Sequence, residues 1–140
     1  MSWQTWSDPG YGYQLFNGKN DKQILQFIRK NSDREISEQE AEDLINNNAS
    51  YLDIYGEDAC VIIAGIINSV EECTVFKGYI ECGNTDQEEM IGVEPVYPWQ
   101  IFTEKDMELT EQKAYSILKK YANILGITEQ PDYFDAYYAG

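Results

Sequence analysis

The sequence has no histidine at all. That absence removes the imidazole from every mechanism that needs one: Ser-His-Asp triads, His-activated cysteine nucleophiles, and most zinc and iron centres. Cysteine is sparse. Cys60, Cys73 and Cys82 form an odd set with no C-x-x-C pair, which suits small apolar side chains in a reduced cytosolic compartment better than a disulfide framework. Cys73 and Cys82 flank one predicted strand and so stand well apart along it, which argues against a bridge between them. The longest apolar run, 59–67, is too short to cross a bilayer, and no basic segment followed by an apolar run opens the chain. Neither phosphate-cradling glycine motif is present; Gly10-Tyr11-Gly12 stands alone and reads as turn chemistry. Positive charge is the last shortage. Ten Lys and Arg face 25 Asp and Glu, for a formal charge of −15. Direct binding to nucleic acid or to an anionic membrane is therefore disfavoured, since both need clustered bases.

What is present describes a folded domain. At 140 residues, 43% apolar and 14% aromatic, the chain is expected to form one compact domain over residues 1–140. Surface scaling gives about 7,400 Å² folded against roughly 23,000 Å² unfolded, enough burial for a core without staples.

The chain is organised around 74–99. Between Thr74 and Cys82 the side chains alternate, with Phe76, Ile80 and Cys82 on one face and Val75, Lys77, Tyr79 and Glu81 on the other. That period of two predicts a half-buried strand. Residues 83–86 supply turn formers, 90–93 a shorter return strand, and Pro95 its end. Asp8-Pro9-Gly10 predicts a turn, with Tyr11, Tyr13 and Leu15 alternating behind it as a strand. The aromatic tail 131–140 predicts an edge strand or strap, and Trp3 and Trp6 are read as anchors folded back onto the sheet.

Helical patterns fill the rest. Asn20 with Gln23 reads as a capping box before a helix burying Ile24, Leu25, Phe27 and Ile28. Ser37 with Glu40 opens a second, with Ala41, Leu44 and Ile45 inward. The run from Ala59 is rich in β-branched residues, yet Ala59, Ile62, Ile63, Ile66, Ile67 and Val70 fall at helical spacing, so a largely buried helix is expected. Thr110 is the expected N-cap of the last helix. Ala114, Ile117, Leu118, Tyr121, Ala122 and Leu125 make its stripe, and Gly126 then Ile127 predict its stop. The fold class is thus α+β, a small antiparallel sheet packed against three to four helices.

Charge is concentrated in two segments. Residues 33–58 hold nine acids and one Arg, and residues 81–111 hold nine acids and one Lys. Asn84, Asp86, Glu88 and Glu89 offer oxygen ligands on a turn, but the spacing is not that of an EF-hand, and a solvated acidic turn is the simpler reading. No cofactor or metal is expected. A pair of carboxylates could serve acid–base chemistry, but among 25 acids no pair stands out, so the expectation is a non-enzymatic domain.

A carboxylate-rich face that captures a basic protein, one that handles nucleic acid, is the leading reading. Its expected contact residues are Glu81, Asp86, Glu88, Glu89, Glu94, Tyr97, Trp99, Glu104, Asp106 and Glu108. In size and charge the chain resembles small acidic phage and mobile-element proteins that inhibit host defence nucleases, anti-CRISPR proteins among them. No motif carries that likeness, and no residue role is taken from it. Two alternatives stand beside it: an interaction domain anchored by Trp3, Trp6, Tyr97 and Trp99, and a small carboxylate-dependent enzyme.

Overall fold

The computed structural model describes residues 5–31, 36–46, 55–82, 87–94 and 111–139. In chain order the elements are β1 (Thr5–Gln14), α1 (Asp21–Asn31), α2 (Glu38–Asn46), α3 (Ala59–Val70), β2 (Phe76–Cys82), β3 (Gln87–Val93), α4 (Glu111–Leu125) and β4 (Asp132–Ala139). The four strands form one antiparallel sheet in the order β2-β3-β1-β4. The expected α+β class, the 74–93 hairpin and the C-terminal edge strand are all present.

The expected turn at Asp8-Pro9-Gly10 is not. β1 runs straight through it, and Gly10-Tyr11-Gly12 also lies within the strand. Among the described residues β3 pairs with β1 only from Tyr11 onward, and at Pro9 the neighbour is Asp135 of β4. Pro9 thus lies beyond the described end of the β1–β3 ladder, a place where a strand tolerates proline.

Register sorts the two faces of the sheet. Phe76, Val93 and Tyr11 align across three strands, as do Gly78, Ile91 and Tyr13. This face carries the main core, packed against Ile24, Phe27 and Ile28 of α1, Ala59, Cys60, Ile63 and Ile67 of α3, and Leu118, Tyr121 and Leu125 of α4. A smaller cluster of Leu25, Ile36, Ala41 and Leu44 seats α2 against α1. On the other face the sheet rolls. Tyr79 of β2 and Phe134 of β4 sit at opposite edges, which a flat sheet would hold about 14 Å apart, yet their rings meet edge-on at 5.0 Å. Glycine makes the roll possible: a Cβ on Gly10 would strike the Phe134 ring, and one on Gly12 would strike the Ile91 carbonyl of β3. Tyr79, on the face opposite Phe76 and Ile80, is consequently fully buried.

Two asparagines join helices to strands. Asn20, expected to cap α1 through its side chain, caps only with its carbonyl, which accepts from the Ile24 N–H. Its carboxamide turns inward, donating to the Leu15 and Leu125 carbonyls and accepting from the Asn17 N–H. Asn68 of α3 grips the start of β2 from both sides, donating to the Phe76 carbonyl at 2.8 Å and accepting from the Phe76 N–H at 3.0 Å. The expected Ser37 cap forms, its hydroxyl accepting from the Glu40 N–H.

α3 is a helix as expected, but its buried stripe is rotated. Ala59, Cys60, Ile63, Ala64 and Ile67 face the sheet, Ile62 and Ile66 are half-buried, and Val70 is exposed. The cause is the close seating of the helix's first turn on Gly78, where any Cβ would meet the Cys60 and Val61 backbone. That contact fixes which side of α3 faces inward. α4 buries the expected stripe, with Ile117 half-buried, and ends as predicted. Gly126 has φ +71°, and the Ile127 N–H donates back to the Ala122 carbonyl.

Candidate acidic interface

The structure divides the ten expected contact residues into three groups. Glu88 and Glu94 are exposed on and just beyond β3. Glu94 is bonded to Lys77 Nζ at 2.9 Å, and that ammonium also lies 4.8 Å from the Tyr79 ring centre. Glu81 is the register partner of Glu88, so the hairpin sets two acids directly opposite each other. Asp86, Tyr97, Trp99, Glu104, Asp106 and Glu108 lie outside the described residues, as do Trp3 and Thr110.

Glu89 forms the third group alone. Pleating turns it to the helical face, where its Oε1 accepts from the Cys60 N–H at 3.0 Å, and the Ala59 N–H adds a second donor. Asp58, at the N-cap position of α3, makes no side-chain capping bond. A carboxylate from a neighbouring strand thus does the work that the local sequence leaves undone. Burial nonetheless holds the Glu89 carboxyl above its ordinary range, against the pull of those N–H groups. Glu89 is accordingly half-buried and engaged with the start of α3, unlike the exposed Glu88.

Other charged side chains complete the picture. α2 carries Glu38, Glu40, Glu42 and Asp43, all exposed, with no base in the helix. Glu71 follows α3 and accepts from Lys120 Nζ at 2.8 Å and from the Tyr121 hydroxyl at 2.9 Å. The Lys120 contact, reinforced by Tyr121, holds Glu71 below the usual carboxylate range, while burial and then Glu71 push the Tyr121 phenol up to about 12.

Sequence reasoning missed where the bases go. Residues 17–31 and 111–125 hold seven of the ten Lys and Arg with only two acids, a formal charge of +5, while the remaining 110 residues carry −20. The two stretches belong to α1 and α4, which pack together, with the Phe27 and Tyr121 rings 5.9 Å apart edge-on and Asn20 bonded to the end of α4. Seven of the ten Lys and Arg thus lie on, or just before, two helices that pack together. The bases were visible in the sequence, but only the packing unites two stretches some eighty residues apart.

Neither Cys60 nor Cys73 is an activated thiol. Cys60 is buried, and burial together with the neighbouring Glu89 pushes its thiol up, the opposite of nucleophile activation. Burial also raises Cys73. Among the described residues no group of three or more His, Cys, Asp or Glu converges as a metal site, and no helix is long and apolar enough to cross a membrane. No protein-family model matches the chain, and neither the curated proteins nor the solved structures contain a match to it.

Proposed function

We propose that this chain is a non-enzymatic acidic domain that captures a basic, nucleic-acid-handling protein, in the manner of a decoy whose carboxylates stand in for phosphates. The observation that carries the reading is the charge imbalance: −20 outside residues 17–31 and 111–125, in a chain with too few bases to neutralise it. At least 15 of the 25 acids have no base to match them one to one. Exposed carboxylates on α2 and at the end of β3 are set on rigid elements, so a basic partner would meet preorganised charge rather than a mobile tail. Inhibition of a phage-host or mobile-element nuclease is the biological setting that this chemistry suits.

The test is capture of proteins from a bacterial lysate on the immobilised chain, at low and high salt and with duplex DNA as competitor. Recovery of a nucleic-acid-binding protein that is lost in high salt and displaced by DNA supports the reading. Glu88→Lys with Glu94→Lys weakens such capture without unfolding the domain. Capture that ignores both salt and DNA refutes the decoy and points to aromatic anchoring instead.

A further inference from the structure

Asn17 and Gly18, in the turn between β1 and α1, form the only Asn–Gly pair in the chain; every other asparagine is followed by a residue with a side chain. That difference is chemical. A backbone nitrogen can attack the Cγ of the asparagine before it and close a five-membered ring, and glycine places no Cβ in the way of the attack. Both residues are exposed, and Gly18 has φ +82° with nothing within 4 Å of where a Cβ would sit. Water and base therefore reach the pair.

The same asparagine is a structural tie. Its Nδ2 donates to the Gly126 carbonyl at the end of α4 at 3.0 Å, and its Oδ1 accepts from the Lys19 N–H at 2.9 Å. Its own N–H donates to Asn20 Oδ1 at 3.0 Å. Asn20 in turn donates to the Leu125 carbonyl, and a Cβ on Gly126 would stand 3.1 Å from the Asn20 Cβ, so the end of α4 is seated on the start of α1. Closing the ring draws Cγ onto the Gly18 nitrogen and expels Nδ2, the atom that Gly126 holds. Reaction and tie compete for one carboxamide.

We propose that Asn17 is a site of self-modification: it converts to aspartate and isoaspartate through Gly18, and the Gly126 contact holds the conversion back until the junction of α1 and α4 opens. In the first step the Gly18 nitrogen bonds to Cγ, the Cγ–Nδ2 bond breaks, and ammonia leaves with the proton of the Gly18 N–H. In the second, one water opens the succinimide. Attack at one carbonyl gives aspartate; attack at the other gives isoaspartate, whose main chain runs through the former side chain. No electrons are gained or lost. Either product loses the donor that faced Gly126 and adds a carboxylate near the negative end of the α4 dipole. The tie then cannot re-form, and a chain already at −15 gains one more negative charge.

The experiment follows Asn17 in the whole chain at mildly alkaline pH, folded and in urea. Trypsin frees residues 1–19, which contain no other asparagine, and the mass gain of that peptide measures the rate. Labelling by isoaspartyl methyltransferase counts the isoaspartate. Conversion in urea is expected to be roughly tenfold or more faster than in the folded chain, because two side-chain hydrogen bonds no longer hold the carboxamide. Gly126→Ala strains a left-handed residue and crowds Asn20, so it should speed the reaction of the folded chain. Gly18→Ala should slow it in urea, where backbone strain plays no part. NMR of the aged protein is expected to show shifts at Asn20 and at 125–127 as well as beside the modified residue.

Equal rates in the folded and unfolded chain, or an unchanged rate in a folded Gly126→Ala, overturn the restraint by Gly126. Should Gly126→Ala fail to fold, the wild-type comparison in urea decides alone. Conversion in urea that is no faster at Asn17 than at the other asparagines overturns the site. Unchanged resonances at 125–127 in the aged protein show that the tie survives, and overturn the proposal.

Discussion

Glu89 is the residue whose replacement tests the structural reasoning most directly. Two substitutions separate its hydrogen-bonding role from its charge. Glu89→Ala removes the acceptor for the buried Cys60 N–H, and an orphaned buried donor costs about 1–3 kcal/mol. For a domain of this size that lowers the thermal midpoint by about 3–9 °C. Glu89→Gln keeps a carbonyl oxygen in the same place and removes only the charge. Because burial raises the folded-state carboxyl above its ordinary value, the folded wild type holds its proton more tightly than the unfolded chain does. By linkage, the Glu89 contribution is most favourable below its unfolded value and declines as pH rises through the raised folded one. Glu89→Gln is therefore expected to match or exceed wild-type stability at neutral pH, with the advantage narrowing as the pH falls into the carboxylate range. Urea unfolding at several pH values, followed by far-UV circular dichroism, measures all three proteins. A Glu89→Ala variant as stable as wild type, or a Gln variant as weak as the Ala one, would show that Glu89 does not cap α3.

Three further outcomes are expected. Glu72 adopts φ +55° just after α3, at the left-handed position of a stop in which the Cys73 N–H donates to the Asn68 carbonyl. Glu72→Gly should thus stabilise the domain by about 1 kcal/mol, read as a higher urea midpoint with unchanged slope. Asn68→Ala leaves both backbone groups of Phe76 without their side-chain partner and should cost about 2 kcal/mol, with faster hydrogen exchange at the start of β2 as its local signature. Glu71→Gln should lower the Tyr121 phenol from about 12 toward its ordinary value, visible by phenolate absorbance during alkaline titration. Its stability cost at neutral pH should stay below about 1 kcal/mol, since Lys120 is more than half exposed. That cost should shrink as pH falls through the depressed folded value of Glu71, where the wild-type carboxylate itself protonates.

Much of the fold was legible because it rests on periodicity. The alternation across 74–82, the stripe from Ala114 to Leu125 and the Gly126 stop each depend on neighbours a few residues away, and each is present. The failures share one cause. Asp8-Pro9-Gly10 has the composition of a turn, but among the described residues Pro9 lies beyond the end of the β1–β3 ladder, and where a ladder ends is a property of the sheet. Asn20 carries a capping signal, yet two carbonyls from distant elements claim its amide. The stripe of α3 was right at Ala59, Ile63 and Ile67 but off by about 60°, because apolar residues surround most of the helix and only contact with Gly78 selects the side that faces inward.

The candidate interface divides along the same line. Composition alone settled the sign and size of the charge, the lack of imidazole chemistry and the mixed class of the fold, because these are sums or short-range patterns that folding does not alter. Which carboxylates face outward was a tertiary decision. Glu88 and Glu89 are adjacent and chemically identical, yet the pleat of β3 exposes one and drives the other onto the N-terminus of α3. The packing of α1 on α4 likewise brings together two Lys- and Arg-rich stretches that lie far apart in the chain. A chain carries its charge in its residues, but only packing gives that charge a direction.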